Sequence, residues 1–96
     1  MEYRDYIIIL YDYYRELFNE KQQEYFEDYY FNNLSLQEIS ENVNVSRNAI
    51  HKAIKSMEEK LQYYEEKLSL YSRSKEIRKL LTNVSDDIKM KIEELL

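Results

Sequence analysis

The chain has 96 residues and a formal net charge of −5, with no Gly, Pro, Cys or Trp and 11 Tyr. That length makes one domain; the missing Cys excludes disulfides, thiolate zinc sites and thiol catalysis, and the missing Gly excludes a glycine-rich phosphate loop. Without Gly or Pro nothing interrupts helices and few tight turns are possible, so the composition points to an all-α fold.

Residues 3–18 place Tyr3, Ile7, Leu10, Tyr14 and Leu17 at spacings of 4, 3, 4 and 3, one face of a helix that Ile8, Tyr11 and Phe18 broaden. Ile7 to Leu10 is the only aliphatic run here, and nothing in the chain approaches the ~18 consecutive apolar residues of a membrane span. The start also lacks the basic flank and small-residue cleavage site of a signal peptide. A soluble, cytoplasmic protein without membrane insertion is expected. Asn19 with Gln22 reads as a capping box for a second helix, whose apolar stripe is Tyr25, Phe26, Tyr29 and Tyr30. Asn32 and Asn33 end it, because Asn tolerates the left-handed conformation found at helix ends.

Residues 35–38, SLQE, form a cleaner capping box and open a short third helix with Leu36, Ile39 and Val43 inward. Ser46 caps a fourth helix almost at once, so the two meet in a tight turn in which Asn44 stands in for Gly. Ile50, Ile54, Met57, Leu61, Tyr64, Leu68 and Tyr71 then recur at 4, 3, 4, 3, 4 and 3, a heptad seam over three repeats. The break is expected at residues 72–74. Two further helices follow, near 75–82 with Ile77, Leu80 and Leu81, and near 85–96 with Ile88, Ile92 and Leu95 inward. The organisation expected is a helical domain over 1–70, containing a helix-turn-helix at 35–55 and an extended helix at 46–70, and a helical tail or dimerisation segment over 72–96.

Charge is unevenly placed. Residues 1–45 hold 3 basic and 10 acidic side chains, whereas residues 46–55 hold Arg47, Lys52 and Lys55 and no acid. A helix-turn-helix reads DNA by laying its second helix in the major groove, with the first crossing behind it. In this chain the stripe left for that groove is Arg47, Asn48, His51, Lys52 and Lys55. Arg pairs bidentately with guanine and Asn with adenine, while Ala49 is short enough to approach a thymine methyl. Ser35 and Ser46, at helix starts, suit phosphate contacts through exposed N–H groups.

The run LSLQEISENVNVSRNAIHKAIKSMEEKLQYYEEKL resembles the YlxM-like family of small bacterial proteins, whose helix-turn-helix is similar to region 4 of sigma factors. The upstream LYDYYRELFNEKQQEYFEDYYFNNLSLQEIS extends the resemblance to roughly residues 9–70. Its most specific pieces are the EKQ and DYY segments, the Asn in place of a turn Gly, and the VSRNAI start of the recognition helix. The resemblance implies a nucleic-acid-binding fold and a role in the signal recognition particle pathway. It stops at residues 71–96, where nothing is recognised.

Three or four cations on an acidic body predict weak binding by one copy, since phosphate neutralisation supplies most non-specific affinity. A homodimer would double the cations and set two recognition helices about 34 Å apart. Met57, Leu61, Tyr64, Leu68 and Tyr71 serve either as that dimer seam or as packing within one chain. His51 is the only His, so a metal site is not expected, and no cofactor or small-molecule substrate is. The adjacent acids Glu58-Glu59, Glu65-Glu66, Asp86-Asp87 and Glu93-Glu94 point ~100° apart on a helix and read as solvated surface, not as an enzyme's acid pair. The expected function is DNA binding, with regulation of the secretion pathway. The alternative is a non-catalytic adaptor for protein or RNA components of the signal recognition particle.

Overall fold

The computed structural model describes residues 1–96 as six α-helices: α1 (Tyr3–Tyr14), α2 (Glu20–Tyr30), α3 (Leu36–Val43), α4 (Arg47–Leu68), α5 (Leu70–Leu80) and α6 (Asp86–Glu93). No strand is present, and α4 is the axis on which α1, α2 and α3 all pack.

In α1 the inward face is Ile7, Leu10, Tyr11 and Tyr14, as its 3.6-residue period requires. The helix ends earlier than the period suggests. Arg15–Leu17 tighten into a 3-10 turn, whose three residues per turn shift the phase. Phe18 is therefore buried and Leu17, expected inward, is left exposed. Tyr3 is exposed as well, with its hydroxyl bonded to Glu58. The second helix starts at the Asn19 capping box, with Gln22 N–H donating to Asn19 Oδ1 at 2.8 Å and Asn19 N–H to Gln22 Oε1 at 3.0 Å. Phe26 of α2 is fully buried and stacks on Tyr11 at 3.9 Å and on Tyr30 at 4.4 Å, a contact that adds about 1 kcal/mol per pair beyond area burial. Asn33 takes φ 55° and turns the chain towards α3.

The second half of α4 goes into this core. Met57 and Leu61 are fully buried within the single chain, and Tyr64 packs on Tyr14 and Phe18 with centroids 5.9 Å away. Leu68 faces solvent, and Tyr71 belongs to α5, where its ring meets Tyr6 and Tyr13 of α1. The heptad seam is thus split between two helices. The break falls at Ser69, not at residues 72–74: Ser69 adopts φ 56°, ψ 32°, and α5 starts at Leu70.

Two carboxylates expected on the surface are buried, and one of them, Glu65, explains that break. Glu65 is buried and accepts from the Tyr14 hydroxyl at 2.6 Å and from the backbone N–H groups of Tyr71 and Ser72 at 3.1 and 3.0 Å. The Leu70 N–H donates to the Tyr14 hydroxyl oxygen at 3.1 Å. The first N–H groups of α5, which have no partners inside their own helix, are capped by side chains from α1 and α4. Glu58 is buried too, and accepts from Tyr30 at 2.6 Å and Tyr3 at 3.1 Å. Glu27 takes the Tyr11 hydroxyl at 2.6 Å. Burial and the neighbouring carboxylate raise the hydroxyl pKa of Tyr11, Tyr14 and Tyr30, that of Tyr14 to about 12.

Beyond Ser69 only Ser74 and Leu81 are buried. In α6, Ile88 and Leu95 were expected inward from their spacing; both are exposed, and only Ile92 is half-covered.

Candidate nucleic-acid interface

The turn between α3 and α4 is built as its residue types demand. Asn44 adopts φ 55°, ψ 45°, the left-handed geometry that an Asn reaches at low cost. Its N–H and that of Val45 return to the Ser40 carbonyl, and the Ser40 hydroxyl donates to the Val45 carbonyl. Ser46 then caps α4 by accepting from the Ala49 N–H at 3.1 Å. Ile39, Ile50 and Ile54 are buried where the two helices face each other, with Leu36, Val43 and Val45 packed around them.

With Ile50 and Ile54 inward, helical geometry sends Arg47, Asn48, His51, Lys52 and Lys55 outward, and all five are exposed together with Ala49. The structure thereby brings the whole expected stripe onto one solvent face. None of its members is engaged in a side-chain hydrogen bond; Lys55 alone has a carboxylate within ion-pair reach, Glu58 at 3.9 Å.

The two serines differ. At α3 the N-terminus is already occupied: Ser35 Oγ accepts from the Glu38 N–H, and the Glu38 carboxylate returns to the Ser35 N–H at 3.0 Å. Those contacts hold the Glu38 carboxyl below the usual range, which marks a negative charge already satisfied there. At α4 the N3 residue is Ala49 and the first turn carries no acid. Helices α1, α2, α3 and α6 all carry Asp or Glu in their first turn, and the start of α5 is taken by Glu65. The α4 N-terminus is the one helix start in the molecule whose positive dipole end has no carboxylate on it.

Beside the stripe lies an open groove of about 300 Å³, walled by Arg4, Tyr29, Tyr30 and Leu36 and by His51 and Lys55 from α4. Arg4 was not among the expected site residues. It comes from α1, far from the motif in sequence, and is fixed by donating to the Tyr30 carbonyl at 2.7 Å with its guanidinium 4.8 Å from the Tyr30 ring centre. No sequence spacing links residue 4 to residue 51; only the packing of α1 on α4 does. Glu58 also lines the groove, so the local charge is mixed and not purely basic. No three His, Cys, Asp or Glu side chains converge on a point that would hold a metal ion.

A family model described as "Putative helix-turn-helix protein, YlxM / p13 like", UPF0122, matches residues 1–95. The chain belongs to this family. The UPF0122 match runs through the tail, where the resemblance read from the sequence stopped at residue 70. The chain is 41% identical over 83 residues to the UPF0122 protein of Caldanaerobacter subterraneus, covering 86% of this chain and 71% of that protein. It is 45% identical to the UPF0122 protein of Fusobacterium nucleatum, over 86% and 82% of the two chains. With that of Clostridium novyi it shares 51% identity over 82% and 69%. Fold and family therefore agree on an all-α helix-turn-helix protein in which no helix is long and apolar enough to cross a membrane.

Proposed function

We propose that this UPF0122 member is a non-catalytic DNA-binding protein that lays the first half of α4 in a major groove. The single observation that carries the reading is the carboxylate-free start of α4, crowned by Arg47, Asn48, His51, Lys52 and Lys55 on one exposed face. The helix dipole and the three cations favour phosphate, and Asn48 and Arg47 offer the paired donors and acceptors that base edges read. Ser46 and its neighbouring N–H groups sit at the phosphate end of this footprint. Ser35 does not join it, because Glu38 holds its helix start.

The test is fluorescence anisotropy of a labelled random-sequence duplex across a range of salt. Wild type is expected to bind with an affinity that falls as salt rises, because each phosphate contact releases about 0.9 counterion. Arg47→Ala/Lys52→Ala is expected to lower the salt slope by about 2 and weaken binding at least tenfold. Absence of binding by wild type at low salt removes the reading.

A second reading has its own observation. Residues 1–45 carry a net −7, and Asp5 and Asp12 of α1 and Glu20 and Glu24 of α2 are all exposed. Such a surface suits a basic protein, so within the signal recognition particle, implied by the resemblance, it favours a protein component over the RNA, whose phosphates it repels. Affinity capture with and without nuclease separates the two readings. Particle components retained after nuclease favour the adaptor; components that never co-purify dismiss it.

A further inference from the structure

The last segment carries a different kind of information. Helix α6 has eight residues and packs substantially against no other element of its chain. An isolated helix shorter than about 12 residues is marginal in water, and most helical stability comes from burying an apolar face. Yet α6 has such a face. Ile88 is 52% exposed and shares its side of the helix with the half-covered Ile92, four residues on, while Leu95 beyond the helix end is 86% exposed and Leu80 at the end of α5 is 76% exposed. An apolar helix side left open on a small chain is the kind of surface that a partner covers. Where the chain beyond α6 returns to α5, an open groove of about 540 Å³ is lined by Tyr13, Leu70, Ile77 and Leu95, with Arg73 and Arg78 outnumbering the one acid there, Asp12.

Charge identifies the occupant. Residues 1–69 hold 8 basic and 14 acidic side chains, so two copies repel each other across most of their surface. Residues 70–80 hold 4 basic and 1 acidic side chain, and residues 84–96 hold 2 basic and 4 acidic. The tail is thus the one segment where self-association is unopposed, and its two helices have opposite signs. A two-fold axis that sets α5 of one copy against α6 of the other pairs plus with minus twice over, because an isologous contact repeats itself.

We propose that the occupant of this face is a second copy of the chain, docked tail to tail with α5 against the partner's α6. The pairing covers the apolar faces of both helices and brings Arg73 and Arg78 to the acids at Asp86, Asp87 and Glu93. It leaves α4's stripe uncovered in both copies. It is independent of nucleic-acid binding and is measured without nucleic acid.

The test is solution mass of the full chain by light scattering after size exclusion, at micromolar concentration. Wild type is expected at twice the chain mass of 11.9 kDa and Ile88→Asp/Ile92→Asp at the single mass, with melting of the α1–α4 body unchanged. The decisive arm is a charge exchange. Arg73→Glu/Arg78→Glu alone is expected to be monomeric, and so is Asp86→Lys/Asp87→Lys/Glu93→Lys alone; mixed, they are expected to form a dimer. A rescue in trans cannot come from damage to one chain's folding. A monomeric wild type, a dimer indifferent to the Asp variants, or no recovery on mixing would each overturn the proposal.

Discussion

The two halves of α4 lie on one continuous helix of 22 residues, about 33 Å long, and divide along its length. In the first half Ile50 and Ile54 are buried, and the outward side is basic, with Lys55 alone near a carboxylate, Glu58 at 3.9 Å. In the second half Met57 and Leu61 are fully buried, and two carboxylates, Glu58 and Glu65, leave the solvent to collect tyrosine hydroxyls and the backbone of α5. The first half is a surface for something outside the chain. The second is the post to which the rest of the chain is tied. One helix type with one residue palette does both, because what decides its role at each turn is which neighbour covers it.

The comparison breaks if the halves respond alike to substitution. Leu61→Ala is expected to cost about 3 kcal/mol, read by thermal or urea unfolding, because it empties a fully buried site where α1 packs on α4. Glu65→Ala is expected to cost about 2 kcal/mol in the same assay, since it strands the Tyr71 and Ser72 N–H groups and the Tyr14 hydroxyl at once. Amide exchange at residues 70–73 sharpens that outcome: it should accelerate in the variant before exchange in α1 does.

Alkaline pH probes the same post by another route. Tyr14's hydroxyl pKa stands near 12 in the folded chain against about 10 when unfolded. The folded state then holds its proton more tightly, so the stabilisation is whole below pH 10 and is lost as pH rises through 12. Tyr11 and Tyr30 shift in the same direction. Melting temperature is expected to fall above pH 10, with a shallower fall in Tyr14→Phe; an equal fall in both proteins would remove Tyr14 from the account. Smaller still is Asn44→Ala, expected to cost about 1 kcal/mol for placing Ala at positive φ, whereas Asn44→Gly should be near neutral. Least of all, Arg47→Ala/Lys52→Ala should move stability by no more than about 0.5 kcal/mol, because both side chains are exposed and unpaired. That near-silence in unfolding, beside a large loss in binding, is what distinguishes the first half of α4 from the second.

Much of this was written in local chemistry. The capping boxes at Asn19 and Ser35, the left-handed Asn44 and the Ser46 cap each depend on residues within four positions, so sequence spacing reaches them. The inward faces of α1 and α4 follow from the helical period for the same reason. The expected break at residues 72–74 missed because Ser69 has no left-handed propensity to announce it; the turn is held by Tyr14 and Glu65, remote in sequence from one another. Glu58 and Glu65 looked like surface acids because each stands beside a second Glu. A signal was present: they lie seven apart, next to the apolar seam, in a chain with 11 tyrosines to supply donors. The exposure of Ile88 and Leu95 was unreadable in a different way, since periodicity shows that a face is apolar but not which molecule covers it.

The division of α4 is tested most directly by an amide chemical-shift map of the chain titrated with duplex DNA at low salt. The account predicts the largest shifts at residues 46–55, small ones around Arg4 and Tyr29, and none over Met57 to Leu68. Shifts centred on the acidic face of α1 and α2 or on the tail, with residues 46–55 unmoved, would contradict it.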